Sequence, residues 1–329
     1  MSASILQTTP TLETFSQRFE HECIVGSEID SCLYSAAIEI VEDTGYFEPN
    51  EFLGQKVSRQ WQTHKPHNYR ALAVFLNEDD DPWQAKPEHP RVNHKTGKEQ
   101  KYESIKGRGA RAFTPPVTVG IYRKITERNS IAQEDLWLKL LVEAARQNEL
   151  DTLLQKWSGS GASQLTIERG AIAGMGFSSS SSKNFIQNQA LEKLQKLLQP
   201  NTQELHSLQQ GNPTQEVLAA LCCFVANLPS RTRVPNFWKW LEQRVDIPLI
   251  LTEGGKKSLC LLSQGYVAIA LYGARGGVVE NEVIGGEKVR KLKPELIHDL
   301  QRFAVPKRSI TIALDQDDRI KTIAILNQL

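Results

Sequence analysis

Three carboxylates stand where two short apolar runs end. Glu253 follows PLILT (Pro248 to Thr252), and Asp315 and Asp317 follow SITIAL within the acidic cluster DQDD. Residues two apart in extended chain project to the same side, about 7 Å apart. Asp315 and Asp317 are therefore expected to face one ion, with Asp318 pointing away. Hard oxygen ligands that leave several positions to water suit Mg2+ or Mn2+, and such an ion stabilises phosphate charge in phosphoryl transfer. The same residues also have a plainer use. A Glu that opens a helix is favoured by the helix dipole, and DQDD ahead of a helix can act as a cap. Joint placement at two strand ends of one sheet favours the metal reading, in which all three residues are ligands and catalytic groups.

That convergence depends on the elements around them. PLILT reads as a strand, GGKKSLCLLSQ as a helix opening on glycines and closing at Gly265, and YVAIAL (Tyr266 to Leu271) as a second strand, which makes a βαβ unit. After the loop GARGG and the stretch ENEVIGGEKVRKLK, a helix is expected from Pro294 (PELIHDLQRFA), then the strand SITIAL. Wholly apolar strands alternating with helices predict a mainly parallel sheet covered on both faces. Ligands bind at the C-terminal edge of such a sheet. Lys256 and Lys257, at the start of the helix after Glu253, either contact phosphate or cover the helix's solvent face. GGKKS is not a P-loop, because Ile250 occupies the place of its first glycine and Lys257 that of its Ser or Thr. GRGARA at Gly107 has dinucleotide-fingerprint spacing but runs into FTPP, where a helix would have to begin.

Upstream, the apolar spacing from Thr14 to Asp43 predicts helix with a break from Gly26 to Asp30, Phe47 to Asn68 reads as irregular, and ALAVFL (Ala71 to Leu76) as a strand. Lys86 to Arg111 carries eight basic residues against three acidic ones, with Tyr102 and two histidines among them. It reads as a basic, loop-rich surface whose Arg91, Lys98, Lys101 and Arg108 would track a nucleic-acid backbone, or else as a solvated loop. Ser130 to Trp157, Asn184 to Leu198 and Gln215 to Leu228 have helical spacing, and Gly/Ser-rich stretches separate the first two. The expected organisation is a flexible tail over 1–13, an α+β region with the basic segment over 14–125, a helical insertion over 126–235 and an α/β domain over 236–329.

Net charge is +1 over 329 residues, so overall charge selects no partner. No apolar run is long enough to span a bilayer, and the start lacks the basic head and apolar stretch of a signal peptide; a cytoplasmic protein is expected. Five cysteines, none in a CxxC pair, suggest reduced thiols. A zinc site drawing on His21, Cys23 and Cys32 lacks a second pair at finger spacing.

LTEGGKKSLCLLSQGYVAIALYGARGG followed by ITIALDQDD resembles the Toprim-like domain of plasmid and phage replication proteins of the primase-helicase type. HECIVGSEID, WQAKPEHPRVNHKTGKEQKYES and FWKWLEQRVDIPLILTEGGKKS resemble landmarks of the same family, in the same order. KPEHPR with KYE, and TEGGKKS, are the most specific pieces. The resemblance implies that Glu253 is the Toprim glutamate, that Asp315 and Asp317 form its DxD pair, and that the activity is metal-dependent nucleotidyl transfer or hydrolysis on DNA. Primase-related chemistry is expected, with a Toprim-type nuclease or a non-catalytic DNA-binding or initiator module as the alternatives. The chain ends about a dozen residues after Asp317, before the further strand and helix of a full Toprim sheet and before any helicase P-loop. The expectation is a shortened or split replication protein whose helicase is supplied by another chain.

Overall fold

A computed structural model describes residues 13–44, 49–54, 69–92, 97–159, 180–273 and 275–314. In the N-terminal region, a capping box of Thr14 and Gln17 opens helix α1 (Phe15–Ile24). Asp30 then opens α2 (Ser31–Ala37) by accepting from the Cys32 and Leu33 amides. The expected break is present, but helix does not continue to Asp43. Ile38–Glu42 is instead strand β1, where the β-branched IEIV fits a half-buried pleat. After α3 (Pro49–Phe52) come β2 (Ala71–Leu76), β3 (Pro82–Pro87), and the short β4 (Arg91–Val92), β5 (Glu99–Gln100) and β6 (Glu103–Ser104). They form an antiparallel sheet of order β1-β2-β3-β6 and a small β4-β5 ribbon. β2 is buried on both faces. Ala73 and Phe75 enter the main core, while Leu72, Val74 and Leu76 join Leu53, Tyr69 and Ile105 in a smaller one, as a period of two requires.

The middle of the chain is helical: α4 (Val119–Arg128), α5 (Asp135–Gln147), α6 (Leu150–Gly159), α7 (Ser180–Leu197), α8 (Gln203–Gln209), α9 (Gln215–Ala226) and α10 (Phe237–Glu242). The single run expected over Ser130 to Trp157 is divided at Asn148, whose left-handed backbone caps α5. Trp157 stacks on Phe224 with ring centres 5.2 Å apart, and Trp137 meets both edge-on, so α5, α6 and α9 share one aromatic centre.

The C-terminal part contains β7 (Leu249–Glu253), α11 (Gly255–Ser263), β8 (Ala268–Leu271), β9 (Val278–Ile284), β10 (Glu287–Leu296), α12 (His298–Gln301) and β11 (Ile310–Ala313). β7, α11 and β8 form the expected βαβ unit, and β11 joins it to give a parallel sheet of order β11-β7-β8. Beyond β8, an antiparallel bridge from Phe113 to Ala270 attaches the chain that precedes α4. One expectation is corrected here. ENEVIGGEKVRKLK forms most of a β9–β10 hairpin turning at Gly285 and Gly286, and the helix expected from Pro294 does not start there, since β10 runs to Leu296 and α12 begins at His298. The two-residue Gly285-Gly286 turn is the stronger local signal. The chain is thus a mixed α/β protein with helices and several sheets, one of them parallel. Among the described residues, no helix is long and apolar enough to cross a membrane.

Candidate functional site

Within TEGGKKS, Thr252, the two glycines and Ser258 each have a separate structural task. Thr252 is buried in β7, opposite Ala313 of β11, and Glu253 ends the strand opposite Leu271 of β8. The three strands therefore leave the sheet along one edge, with Glu253 on it. Gly254 has φ +83°, a left-handed conformation that L side chains resist, and Gly255 lies where an added Cβ would come 2.7 Å from a Phe75 ring carbon. The Ser258 hydroxyl donates to the Ala268 carbonyl at 2.8 Å and ties α11 to β8. That leaves Lys256 and Lys257 at the start of α11, on the same side as Glu253.

These groups form one wall of a cleft of about 570 Å³. Glu253, Lys256, Lys257 and Tyr272 line it from the parallel sheet, and Gln84, Lys101, Tyr102 and Ser104 face them from the N-terminal sheet. An aromatic stack joins the two walls. The Tyr272 ring lies parallel to Trp83 at 4.8 Å, Trp83 lies on Phe113 at 4.8 Å, and the Tyr272 hydroxyl donates to the Trp83 carbonyl at 2.6 Å. Burial pushes the Tyr272 phenol up to about 12, so it stays a neutral donor.

The basic segment is divided by its ion pairs. Arg91 donates twice to the buried Glu103, at 2.7 and 3.1 Å, and Glu103 also accepts from the Tyr69 hydroxyl at 2.7 Å. Arg108 and Arg111 both pair with Asp81. Lys86 and Lys256 share the Glu22 carboxylate, with Lys86 at 2.7 and 2.8 Å. Burial alone would raise the Glu22 pKa, but the hydrogen bonds and charges of the two lysines outweigh it and hold the carboxyl below its ordinary range. Of the residues expected to meet phosphate, Lys101, Lys256 and Lys257 therefore line the cleft, Arg91 and Arg108 hold the N-terminal sheet together, and Lys98 is exposed just before β5.

The motif landmarks are partners of one another. Arg91 of KPEHPR binds Glu103 of KYE, Lys86 of the same stretch binds Glu22 of HEC, and Glu88 binds Arg18 at 2.9 Å. Glu22, Gln84 and Tyr272 carried no signal in the sequence that pointed to the cleft. Gln84 and Tyr272 line it through sheet register, and Glu22 stands beside it, against Lys256, through helix packing.

Asp315, Asp317 and Asp318 lie outside the described residues. Within the described set, no three of His, Cys, Asp and Glu converge as a metal group. Glu253 provides one hard carboxylate at the strand edge, a donor type that fits Mg2+ or Mn2+. Cys23 points into the core, and burial pushes its thiol up to about 12, while His21 two residues earlier is exposed. Residues two apart on a helix face different directions, so the two do not act together.

Residues 237–328 match the model of a family described as a domain of unknown function, DUF3854. A stretch of 92 residues is 40% identical to an uncharacterized protein of Picosynechococcus sp. (strain ATCC 27264 / PCC 7002 / PR-6), covering 28% of this chain and 9% of that protein. No solved structure matches the chain. The family model covers the C-terminal α/β part, which contains Glu253 and one wall of the cleft.

Proposed function

We propose that the chain is a Toprim-like nucleic-acid enzyme of plasmid or phage replication, carrying out divalent-metal-dependent phosphoryl or nucleotidyl transfer of the primase type. The observation that carries this reading is the placement of Glu253 at the C-terminal edge of a parallel sheet, in a cleft that also holds Lys101, Lys256 and Lys257. A carboxylate flanked by lysines suits a phosphodiester, because the lysines meet the backbone charge and the carboxylate retains an ion that neutralises the phosphate under attack. Glu253 would hold Mg2+ or Mn2+ together with Asp315 and Asp317. Lys256 and Lys257 orient the phosphate from the α11 side and Lys101 from the opposite wall. Tyr272 and Tyr102 give that cleft faces on which a base can stack.

Primer synthesis from nucleotides on a single-stranded template, with Mg2+ or Mn2+ present, is the expected activity. Glu253→Gln and the double variant Asp315→Asn/Asp317→Asn should each lower it at least about a hundredfold and weaken ion binding by calorimetry, with melting temperature held or slightly raised as carboxylate repulsion is relieved. Release of fragments in place of primers would replace the primase reading with a nuclease. DNA binding without metal dependence or turnover would replace it with a binding module. Unaltered metal affinity with a large loss of stability in the double variant would sink the metal assignment.

A further inference from the structure

Lys256 does not stand alone at the cleft. Its ammonium rests on the carboxylate of Glu22, which comes from α1, more than two hundred residues earlier in the chain. Glu22 is itself fixed from two sides. Phe19, three residues before it, meets Phe75 edge-on at 6.3 Å, and Cys23, next to it, is fully buried, so α1 is seated on the main core. Lys86 of β3 grips both Glu22 oxygens, and its ammonium lies 5.0 Å from the centre of the Phe19 ring. The side chains of Lys86 and Lys256 are each 23% exposed and that of Glu22 is 42% exposed, so the cluster sits at the surface beside the cleft and is not a sealed core pair. Two ammonium groups share one carboxylate, and one positive charge is left over. A lysine is a point charge on a flexible stem, and an anchored carboxylate fixes where that charge stands without cancelling it.

We infer that Glu22 is a positioning residue for Lys256, holding its ammonium at the rim of the Glu253 cleft so that it meets a phosphate of a bound nucleic-acid strand. The inference rests on the reading of the cleft as a nucleic-acid site. It makes the N-terminal helix part of the binding apparatus and not only of the scaffold. A plain structural tie would couple α1 to α11 with no effect on what the cleft binds, and the two roles separate in measurement.

A double-mutant cycle on the full chain tests it, with a fluorescent single-stranded oligodeoxynucleotide of mixed sequence as probe at low salt. Glu22→Gln should weaken binding about fivefold and Lys256→Ala by at least as much, as the loss of a charge-assisted contact implies. The double variant should be no weaker than Lys256→Ala alone. Effects that multiply overturn the inference. If Glu22→Gln does not fold, Glu22→Asp takes its place with the same expectations, since it keeps the charge but draws it back by one methylene. If the wild-type chain binds no oligonucleotide, the reading of the cleft fails, and positioning is judged separately from the rate at which an amine-directed acylating reagent labels Lys256, followed by peptide mass spectrometry. Labelling several-fold faster in Glu22→Gln than in wild type supports the inference, and an equal rate overturns it.

Discussion

Single residues in this protein are set by what burial does to charge. Glu78 lies just past β2, where its carboxylate accepts from the Phe237 amide at 2.7 Å at the start of α10. Burial outweighs the Phe237 and Trp238 amides and pushes its pKa up to about 7 from an ordinary 4.5. A carboxyl whose folded pKa is raised contributes stability that is complete below its unfolded pKa and is lost as pH rises through the folded one. The window here runs from about pH 4.5 to about 7. Glu78→Gln keeps an acceptor for the amides and removes the charge. Its stability should equal that of wild type near pH 4 and exceed it at pH 8 by on the order of 1 to 3 kcal/mol. Melts of the pair at both pH values measure this, and a difference that does not change with pH would show that the carboxyl is well solvated.

At the scale of elements, the junction from β7 to α11 decides where the site stands. Gly255 approaches Phe75 so closely that α11 can start there only without a side chain, and Phe75 cannot yield because Phe19, Trp83 and Phe113 all meet its ring edge-on. Gly255→Ala should cost about 1 to 3 kcal/mol by overpacking and shift the first turn of α11, weakening whatever Lys256 and Lys257 hold. Gly254→Ala meets no atom within 4 Å and is opposed only by its positive φ. Denaturant titration of both variants, with oligonucleotide affinity as a second reading, tells the two mechanisms apart; a neutral Gly255→Ala would contradict the close approach. The glycine pair was visible in the sequence as the opening of a helix. Its second glycine answers to a ring about 180 residues earlier, which no local pattern announces.

Across the whole molecule, the parallel sheet and the N-terminal sheet form one core. Phe113 bridges to β8, Trp83 stacks on Tyr272, the Asp30 amide donates to Ser263 of α11 at 2.8 Å, and Lys124 of α4 donates to the Ser263 carbonyl at 2.9 Å. The residues that match the family model, 237–328, lack all of these partners. Expressed alone, residues 237–329 should therefore not form a cooperative fold, because burying their apolar faces requires Phe75, Trp83 and Phe113. A dispersed amide spectrum and a sharp melt from that fragment would show that the C-terminal part is self-sufficient, and that the cleft's second wall is an addition to it.

Periodicity by itself determined the βαβ unit, the strand ALAVFL and the positions of the long helices, because those elements bury one face or both and their hydrophobic spacing records it; the apolar run SITIAL is a strand as well, although the side chains of β11 are mostly exposed. It also placed Glu253 at a strand end, which is enough to put it on the sheet's C-terminal edge. Where local signals compete, it failed. IEIVE continues a helical spacing yet pairs as β1 with β2, and the charged hairpin of β9 and β10 has too few core contacts to leave a clear alternation. Only the tertiary structure decided which of many basic residues face the cleft. Nothing in the sequence sets Arg91 and Arg108 apart from the cleft-lining Lys101 and Lys257, yet Arg91 binds Glu103, 12 residues away, and Arg108 binds Asp81, 27 residues away, outside the cleft. Glu22 reaches Lys256 across a separation of 234 residues. Charge pairing acts through space over a few ångströms, and a linear sequence holds no measure of that distance until the sheets are packed.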